Sequence, residues 1–316
     1  MNKLLTGVIA MASAGLTLQA NALNILLTND DGCRAPGINA MYQALTAAGH
    51  QVTLVGPLND SSGISAASVV SPGQALAVTE LDAHKFCVGP PEGYTPPAGK
   101  TSAIGTPVDA VNVGLDVLLK DNRPDLVVSG TNFGENVGPL TQMSGTLNAA
   151  VRAMFKGVPA VAVSTAIDME LIMRDQQAGY RKTLDAMDDT AQFAVQVIQK
   201  AVAAGAASKG KLNVLGLPGS NGLNINYPAL AAAEVKGVSY APIGTWDRVN
   251  FTSVRGGDGI VRANLVAPPT PTAEQQQADA YQLWQGNAVI TVIDGGMTAP
   301  GELQEQAREM LNGIKP

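Results

Sequence analysis

Asp30 and Asp31 stand side by side in Thr28-Asn29-Asp30-Asp31-Gly32, directly after an apolar run from Ile25 to Leu27. An apolar run cut off by turn residues reads as a central strand of a parallel sheet. The carboxyl ends of such strands are where open α/β folds bind ligands. Two neighbouring carboxylates repel, so keeping both ionised favours a compensating cation. Oxygen donors of this kind suit Mg²⁺, Mn²⁺ or Ca²⁺ better than zinc. A ligand-free Asx-rich turn is the competing reading of these residues taken alone.

Two later stretches offer neutral oxygens. Asn59-Asp60-Ser61-Ser62-Gly63-Ile64-Ser65 is a hydroxyl-rich loop, and Ser129-Gly130-Thr131-Asn132 through Gly138 is rich in glycine and amides. Glycine allows close backbone approach and amide oxygens are neutral ligands. Ser144-Gly145-Thr146 opens a helix, where hydroxyls and free N–H groups can receive an anion; a plain N-cap is the alternative. A divalent cation beside an anion-binding helix start points to phosphoryl transfer or phosphate hydrolysis.

Other chemistries lack their residues. The two histidines, His50 and His84, fall outside these loops, which disfavours a histidine base or a His-rich zinc site. No Gly-x-Ser-x-Gly occurs, against a serine hydrolase. Gly99-Lys100-Thr101 ends like a phosphate loop, but its upstream glycine, Gly93, is misplaced and Pro96-Pro97 intervenes. Two cysteines cannot form a cysteine metal site. The net charge of −6 without a basic cluster argues against binding a nucleic-acid duplex.

These loops need strands and helices to bring them together. Pro36 at a first helical turn, Ile38, Met41, Tyr42 and Leu45 at helical spacing, and Gly49 as a stop give a helix, followed by a strand at Val52–Val55. The β-α-β order implies parallel strands with a right-handed crossover. The hydroxyl-rich loop after the second strand would then neighbour the acidic turn on the same sheet edge. Residues 74–104 read as a β excursion outside the wound core, with a hairpin over Ala75–Val78 and Lys85–Val88. Thr106 caps a helix starting at Pro107, Leu126–Val128 and Val158–Ser164 are buried strands, and Thr190–Ala204 is an apolar helix. Leu212–Leu217, Leu223–Tyr227 and Ala288–Ile293 read as strands, and Ala278–Trp284 and Glu302–Leu311 as helices. Residues 236–259 are irregular and 270–277 polar.

Lys3, an apolar stretch from Leu4 to about Leu18, and Ala20-Asn21-Ala22 have the layout of a secretory signal peptide. The expectation is cleavage after Ala22, export to the periplasm or medium, and no membrane association afterwards. Residues 23–316 then form a single α/β domain, with a core over about 23–230 and C-terminal elements over about 231–316. For Cys33 and Cys87, export permits a disulfide, while the position of Cys33 beside the acidic pair equally suits a free buried thiol.

Leu26-Leu27-Thr28-Asn29-Asp30-Asp31-Gly32 with Ala35-Pro36-Gly37-Ile38 resembles the opening of the SurE, or survival protein E, nucleotidases. The resemblance continues through Ser62-Gly63, Gly105-Thr106-Pro107-Val108-Asp109, Ser129-Gly130-Thr131-Asn132, Gly134-Glu135-Asn136-Val137-Gly138 and Ser144-Gly145-Thr146. Order and spacing agree over about residues 23–165 and become patchy beyond. The resemblance implies a Rossmann-like, doubly wound, mostly parallel sheet with β-hairpin excursions and a C-terminal extension. It implies a metal-dependent phosphomonoesterase of 5′-nucleotidase type, acting on nucleoside 5′- and 3′-monophosphates through metal-activated water. One divalent ion per subunit, Mg or Mn with Ca as an alternative, would be held by Asp30, Asp31, Ser62 and Asn132, with Asp30 and Asp31 catalytic. Asn29, Asn136, Ser144, Gly145 and Thr146 would line the phosphate pocket, and C-terminal elements would assemble a homodimer or homotetramer.

Three features depart from that family. Met143 replaces a usually aromatic residue, residues 167–190 and 240–277 fit poorly, and most members lack an export signal. Other readings remain open: a broad-specificity exported acid phosphatase or exopolyphosphatase, or a non-catalytic nucleotide- or phosphate-binding protein. A signalling receiver domain is disfavoured, because the turn after the third strand offers no carboxylate before Glu135.

Overall fold

The structure is a computed structural model that describes residues 22–96, 103–207, 212–297 and 300–310. The segment before Ala22, read above as an export signal, and the Gly99-Lys100-Thr101 match lie outside the described residues. In chain order come β1 (Asn24–Thr28), α1 (Pro36–Ala47), β2 (Gln51–Pro57), β3 (Ala77–Asp82), β4 (Lys85–Gly89) and α2 (Pro107–Val113). They are followed by β5 (Leu126–Phe133), α3 (Gly145–Phe155), β6 (Ala160–Thr165), α4 (Met169–Arg174), α5 (Gln176–Asp185) and α6 (Met187–Ala207). The last third holds β7 (Gly222–Tyr227), β8 (Val238–Tyr240), β9 (Asn250–Arg255), β10 (Val261–Val266), α7 (Asp279–Trp284), β11 (Ala288–Ile293) and α8 (Gly301–Met310).

Nine strands form one sheet in the order β3-β4-β2-β1-β5-β6-β7-β11-β8, antiparallel only at β3–β4 and β7–β11. This is the mostly parallel α/β architecture expected. β5 is buried from Leu126 to Asn132 and β6 throughout, so apolar residues on both faces need cover. On one face α1 and α6 supply it: Ile38, Met41 and Leu45 meet Ala191, Ala194 and Ile198 in a core with Ile25, Leu27 and Val128. Those helix positions recur at three- and four-residue spacing, which presents one stripe to the sheet. On the other face α2 and α3 pack Val111, Ala149, Ala150 and Ala153 against Leu26, Val127 and Ala162. The small alanines of α3 let that helix lie close to the sheet.

The chain runs outward from β1 to β2, then restarts on the other side of β1 with β5. The reversal leaves a crevice between the carboxyl ends of β1 and β5, the switch point where open α/β sheets bind ligands. Two glycines hold it tight. A Cβ at Gly37 would lie 2.0 Å from the Thr131 carbonyl oxygen, and one at Gly130 would lie 2.1 Å from that of Val163.

Several expectations need correction. The β3–β4 hairpin is not outside the core, because β4 pairs in parallel with β2 and extends the main sheet. β5 runs on to Phe133, so Asn132 sits within an irregular strand rather than in a turn after it. Leu212–Leu217 is not a strand and makes only an isolated bridge from Leu212 to Pro218. There Asn213 Oδ1 accepts from the Leu215 and Leu217 N–H groups at 2.8 and 3.2 Å, capturing donors a ladder would need. The stretch over 236–259 conceals β8 and β9, and β9 pairs with β10 as a separate hairpin. Among the described residues no helix is long and apolar enough to cross a membrane.

Cys33 and Cys87 are joined in a disulfide, with Cα atoms 5.5 Å apart across a separation of 54 residues. The bridge fastens the turn after β1 to β4, one strand in from the sheet's edge. Closing a loop of that length stabilises the fold by about 4 kcal/mol on the chain-entropy account. Replacing both cysteines with serine is therefore expected to lower stability by about 2–4 kcal/mol in urea denaturation, and dithiothreitol to have a matching effect on the parent protein.

Candidate active site

The turn after β1 is built to hold its carboxylates still. Asn29, fully buried, donates from Nδ2 to the Gly32 carbonyl at 2.9 Å and so closes the turn on itself. Asp30, 2% exposed, accepts from the Thr146 hydroxyl at 2.5 Å through Oδ1. Gly145 lies against the same carboxylate: a Cβ there would stand 2.8 Å from Asp30 Oδ2. Only glycine lets the start of α3 approach so closely. Asp31 accepts from the Phe133 N–H at 3.0 Å through Oδ2, which reaches across to the end of β5.

Burial is the chief force on both acids. It raises Asp30 to about 6 against the opposing Thr146 hydrogen bond. It raises Asp31 to about 7, with the Asp30 charge adding to the effect and the Phe133 N–H opposing it. Asp60 adds repulsion to both. A cation between these carboxylates would remove the cause of the shift.

The neighbouring loops bring neutral oxygens. The Ser61 N–H donates to the Asp30 carbonyl at 2.8 Å, which draws the loop after β2 onto the turn. Ser62 donates its hydroxyl to Asp60 Oδ1 at 2.6 Å, leaving its oxygen lone pairs for another partner. Asn132, 8% exposed, donates from Nδ2 to the Gly134 carbonyl at 2.8 Å, while its Oδ1 is buried without a hydrogen-bond partner. A buried amide oxygen left so has been stripped of water without recompense, and a ligand would satisfy it. Among the described residues no group of three or more His, Cys, Asp or Glu is placed to hold a metal ion. Two carboxylates with an amide and a hydroxyl oxygen instead fit a hard divalent cation that retains water.

Ser144 caps α3, its Oγ accepting from the Leu147 N–H at 2.8 Å, and its hydroxyl proton remains free to donate. Asn136 stands slightly apart. Its Nδ2 donates to Ser164 Oγ at 2.9 Å, its N–H to Asn226 Oδ1 at 2.7 Å, and its carbonyl accepts from Asn224 Nδ2 at 2.8 Å. This buried amide network sets the loop after β5 against β6 and β7. Of the residues read from sequence, Asp30, Asp31, Gly145 and Thr146 thus stand in direct contact or adjacent, with Ser62 and Asn132 on the loop and strand bound to them. Asn29 and Asn136 brace the backbone around them.

Two participants escaped the sequence reading. Asp60 sat in a loop read for its hydroxyls; its place two residues before Ser62 was the available signal. The Phe133 N–H is a backbone donor, which residue type does not reveal.

The raised carboxylates carry a stability consequence. Without a cation, the folded protein keeps protons that the unfolded chain releases above about pH 4. Folded stability must therefore fall as pH rises through about 6 and about 7, where Asp30 and Asp31 ionise. The metal-free protein is expected to melt lower at about pH 7.5 than at about pH 5, and Mg²⁺ or Mn²⁺ should restore the loss. Calorimetry on chelator-treated and reloaded protein checks this; a melting temperature that rises with pH in chelator would contradict it.

The family described as Survival protein SurE matches residues 25–250 of this chain. A relative named 5′-nucleotidase SurE from Nitratidesulfovibrio vulgaris (strain DSM 19637 / Miyazaki F) is 36% identical over 258 residues, covering 79% of this chain and 81% of the relative. Another of that name from Caulobacter vibrioides (strain NA1000 / CB15N) is 30% identical over 299 residues, covering 93% and 98%. The crystal structure of the SurE protein from Aquifex aeolicus shares the fold, with a TM-score of 0.66 at 23% identity over 92% of this chain and 100% of that one. With the acidic turn, the Asn132 strand end and the Ser144-Gly145-Thr146 helix start all inside the matched span, this chain belongs to the survival protein SurE family.

Proposed function

We propose that the chain is a divalent-metal-dependent phosphomonoesterase that hydrolyses nucleoside 5′-monophosphates, and also 3′-monophosphates, to nucleoside and phosphate. One observation carries the reading: the buried Asp30 lies against the first turn of an eleven-residue helix at the sheet's switch point, with the half-buried Asp31 carboxylate next to it. The name 5′-nucleotidase borne by the relatives supports the substrate class.

Asp30, Asp31, Asn132 and Ser62 would hold the cation, Mg or Mn in preference to Ca. When bound, the ion neutralises charge on the phosphoryl group and lowers the pKa of the attacking water. The chain's residues do the rest. Thr146 fixes the Asp30 carboxylate in one orientation through its hydroxyl. The free N–H groups and positive end of the α3 dipole favour the phosphate anion, and the Ser144 hydroxyl has a proton to donate to it. Water oxygen joins phosphorus, the bond to the ribose oxygen breaks, and the nucleoside leaves as an alcohol.

Assembly and compartment belong to the same reading. The β9–β10 hairpin exposes Phe251, Val254, Val261 and Leu265, and α8 buries no residue, which supports a homodimer or homotetramer built through C-terminal elements. The signal-like leader and the Cys33–Cys87 bridge support export, since disulfides persist in oxidising compartments. An exported member would recover phosphate and nucleosides from external nucleotides.

Phosphate release tests the activity. Metal-stripped protein should be inactive on 5′- and 3′-nucleotides and an aryl phosphate, regain turnover with Mg²⁺ or Mn²⁺, and lose roughly 10³-fold or more with Asp30→Asn. Turnover that survives both EDTA and Asp30→Asn rules the metal site out, and stoichiometric binding without turnover identifies a binding protein instead. For export, cell fractionation with N-terminal sequencing should find the protein in the periplasm or medium beginning at Leu23; an intact leader on cytoplasmic protein contradicts it.

A further inference from the structure

A cavity of about 230 Å³ opens at the carboxyl ends of β6 and β7. Glu135, Val137, Asp168, Asp247, Leu283 and Trp284 are among its walls. Its position relative to the phosphate site follows from the chain. Asn136, which braces the loop after β5, lies between two wall residues, Glu135 and Val137. Phe133, whose N–H holds Asp31, is two residues from Glu135. Two residues span at most about 7 Å of backbone, so the cavity begins within a nucleotide's length of the acidic pair.

Its polar wall is unusual in what it leaves unpaired. Asp168 is bound to Lys182 at 2.8 Å and Glu170 to Arg248 at 2.6 Å, so both cations of the cavity are engaged. Among the described residues Glu135 and Asp247 form no ion pair. Glu135 accepts from the Ile167 N–H at 2.9 Å through Oε2. Asp247, 7% exposed, accepts from the Val249 N–H at 3.0 Å through Oδ1, and its Oδ2 is buried with no partner at all. Burial raises Asp247 to about 7, and the nearby charges of Glu135 and Asp279 add to it. A buried carboxylate oxygen in this state calls for a donor. The remaining wall is apolar and aromatic, with Val137, Leu283 and the Trp284 ring. The ligand that suits it carries hydroxyl donors beside a flat ring.

We propose that this cavity holds the nucleoside part of the substrate, with Asp247 and Glu135 accepting hydrogen bonds from the ribose hydroxyls and Trp284 lying against the base. The inference rests on the nucleotidase reading above and makes that site selective for ribonucleotides. A carboxylate facing a ribose hydroxyl is a recurrent way to recognise that sugar. A pocket organised around such a bond discriminates against a substrate lacking the hydroxyl, because the buried acceptor is then left bare.

The test compares AMP, 2′-deoxy-AMP, 3′-deoxy-AMP and an aryl phosphate on the metal-loaded protein, its Asp247→Ala and Asp247→Asn variants, and Glu135→Gln. The parent should prefer AMP over at least one deoxynucleotide by roughly tenfold or more in kcat/KM. In Asp247→Ala that preference should collapse towards unity, and the ratio of AMP to aryl phosphate turnover should fall by about the same factor, chiefly through KM. Asp247→Asn, which keeps an acceptor of the same shape, should retain part of the preference. Equal losses on all four substrates would show a merely structural role, and a parent without ribose preference would overturn the proposal.

A binding measurement separates this inference from the activity it rests on. Adenosine alone should change the fluorescence of the parent, through Trp284, and do so far more weakly with Asp247→Ala. Adenosine binding without phosphate release from any substrate would keep the cavity and refute the nucleotidase. Phosphate release with neither adenosine binding nor ribose preference would do the reverse.

Discussion

Mutual repulsion of two desolvated carboxylates is the constraint around which this fold is arranged. Asp30 and Asp31 are adjacent in sequence and taken out of water together, and Asp60 adds a third charge to their field. Such a cluster survives in a folded chain only when donors and cover restrain it. Here the donors come from separate elements: the Thr146 hydroxyl from α3 and the Phe133 N–H from β5. The same contacts that steady the charges dock α3 and the far strand against the end of β1. Function and packing are therefore served by one set of bonds.

That double duty explains the small residues nearby. Gly145 brings the start of α3 within van der Waals reach of Asp30, and Gly37 brings the start of α1 against the Thr131 carbonyl. Two helix N-termini on opposite faces thus converge on one sheet edge. Behind them the Asn136, Asn224 and Asn226 amides stitch the loop after β5 to β7 without adding charge. Among the described residues, carboxylates without an ion pair gather at the acidic turn and at the Glu135–Asp247 wall.

Much of this was legible in the residues because the central elements obey local rules. β1 is an uninterrupted apolar run ended by turn formers, α1 has Pro36 at its start, and Ser144 caps α3 as its type suggests. The acidic pair announced itself by adjacency. What was lost falls into physical classes. The β9–β10 hairpin is exposed along nearly its whole length, so no buried face imposes alternation on its sequence. Leu212–Leu217 has the composition of a strand, but Asn213 turns it and Gly216 adopts φ +71°. Gly130 read as a strand's end, although β5 passes through it. Asp247 carried no signal, because its importance arises from burial opposite a residue far away in the chain.

The Cys33–Cys87 bridge also bears on the acidic turn. Cys33 is only two residues from Asp31, and its N–H donates to the Pro57 carbonyl at 2.7 Å, so the bridge belongs to the same rigid turn as the acidic pair. A cation that binds the bridged arrangement of that turn better than the open one would be coupled to the thiols. Thermodynamic reciprocity then requires that each strengthen the other. The covalent bond therefore pre-sets the turn, so that a ligand arriving at Asp31 has less chain to order.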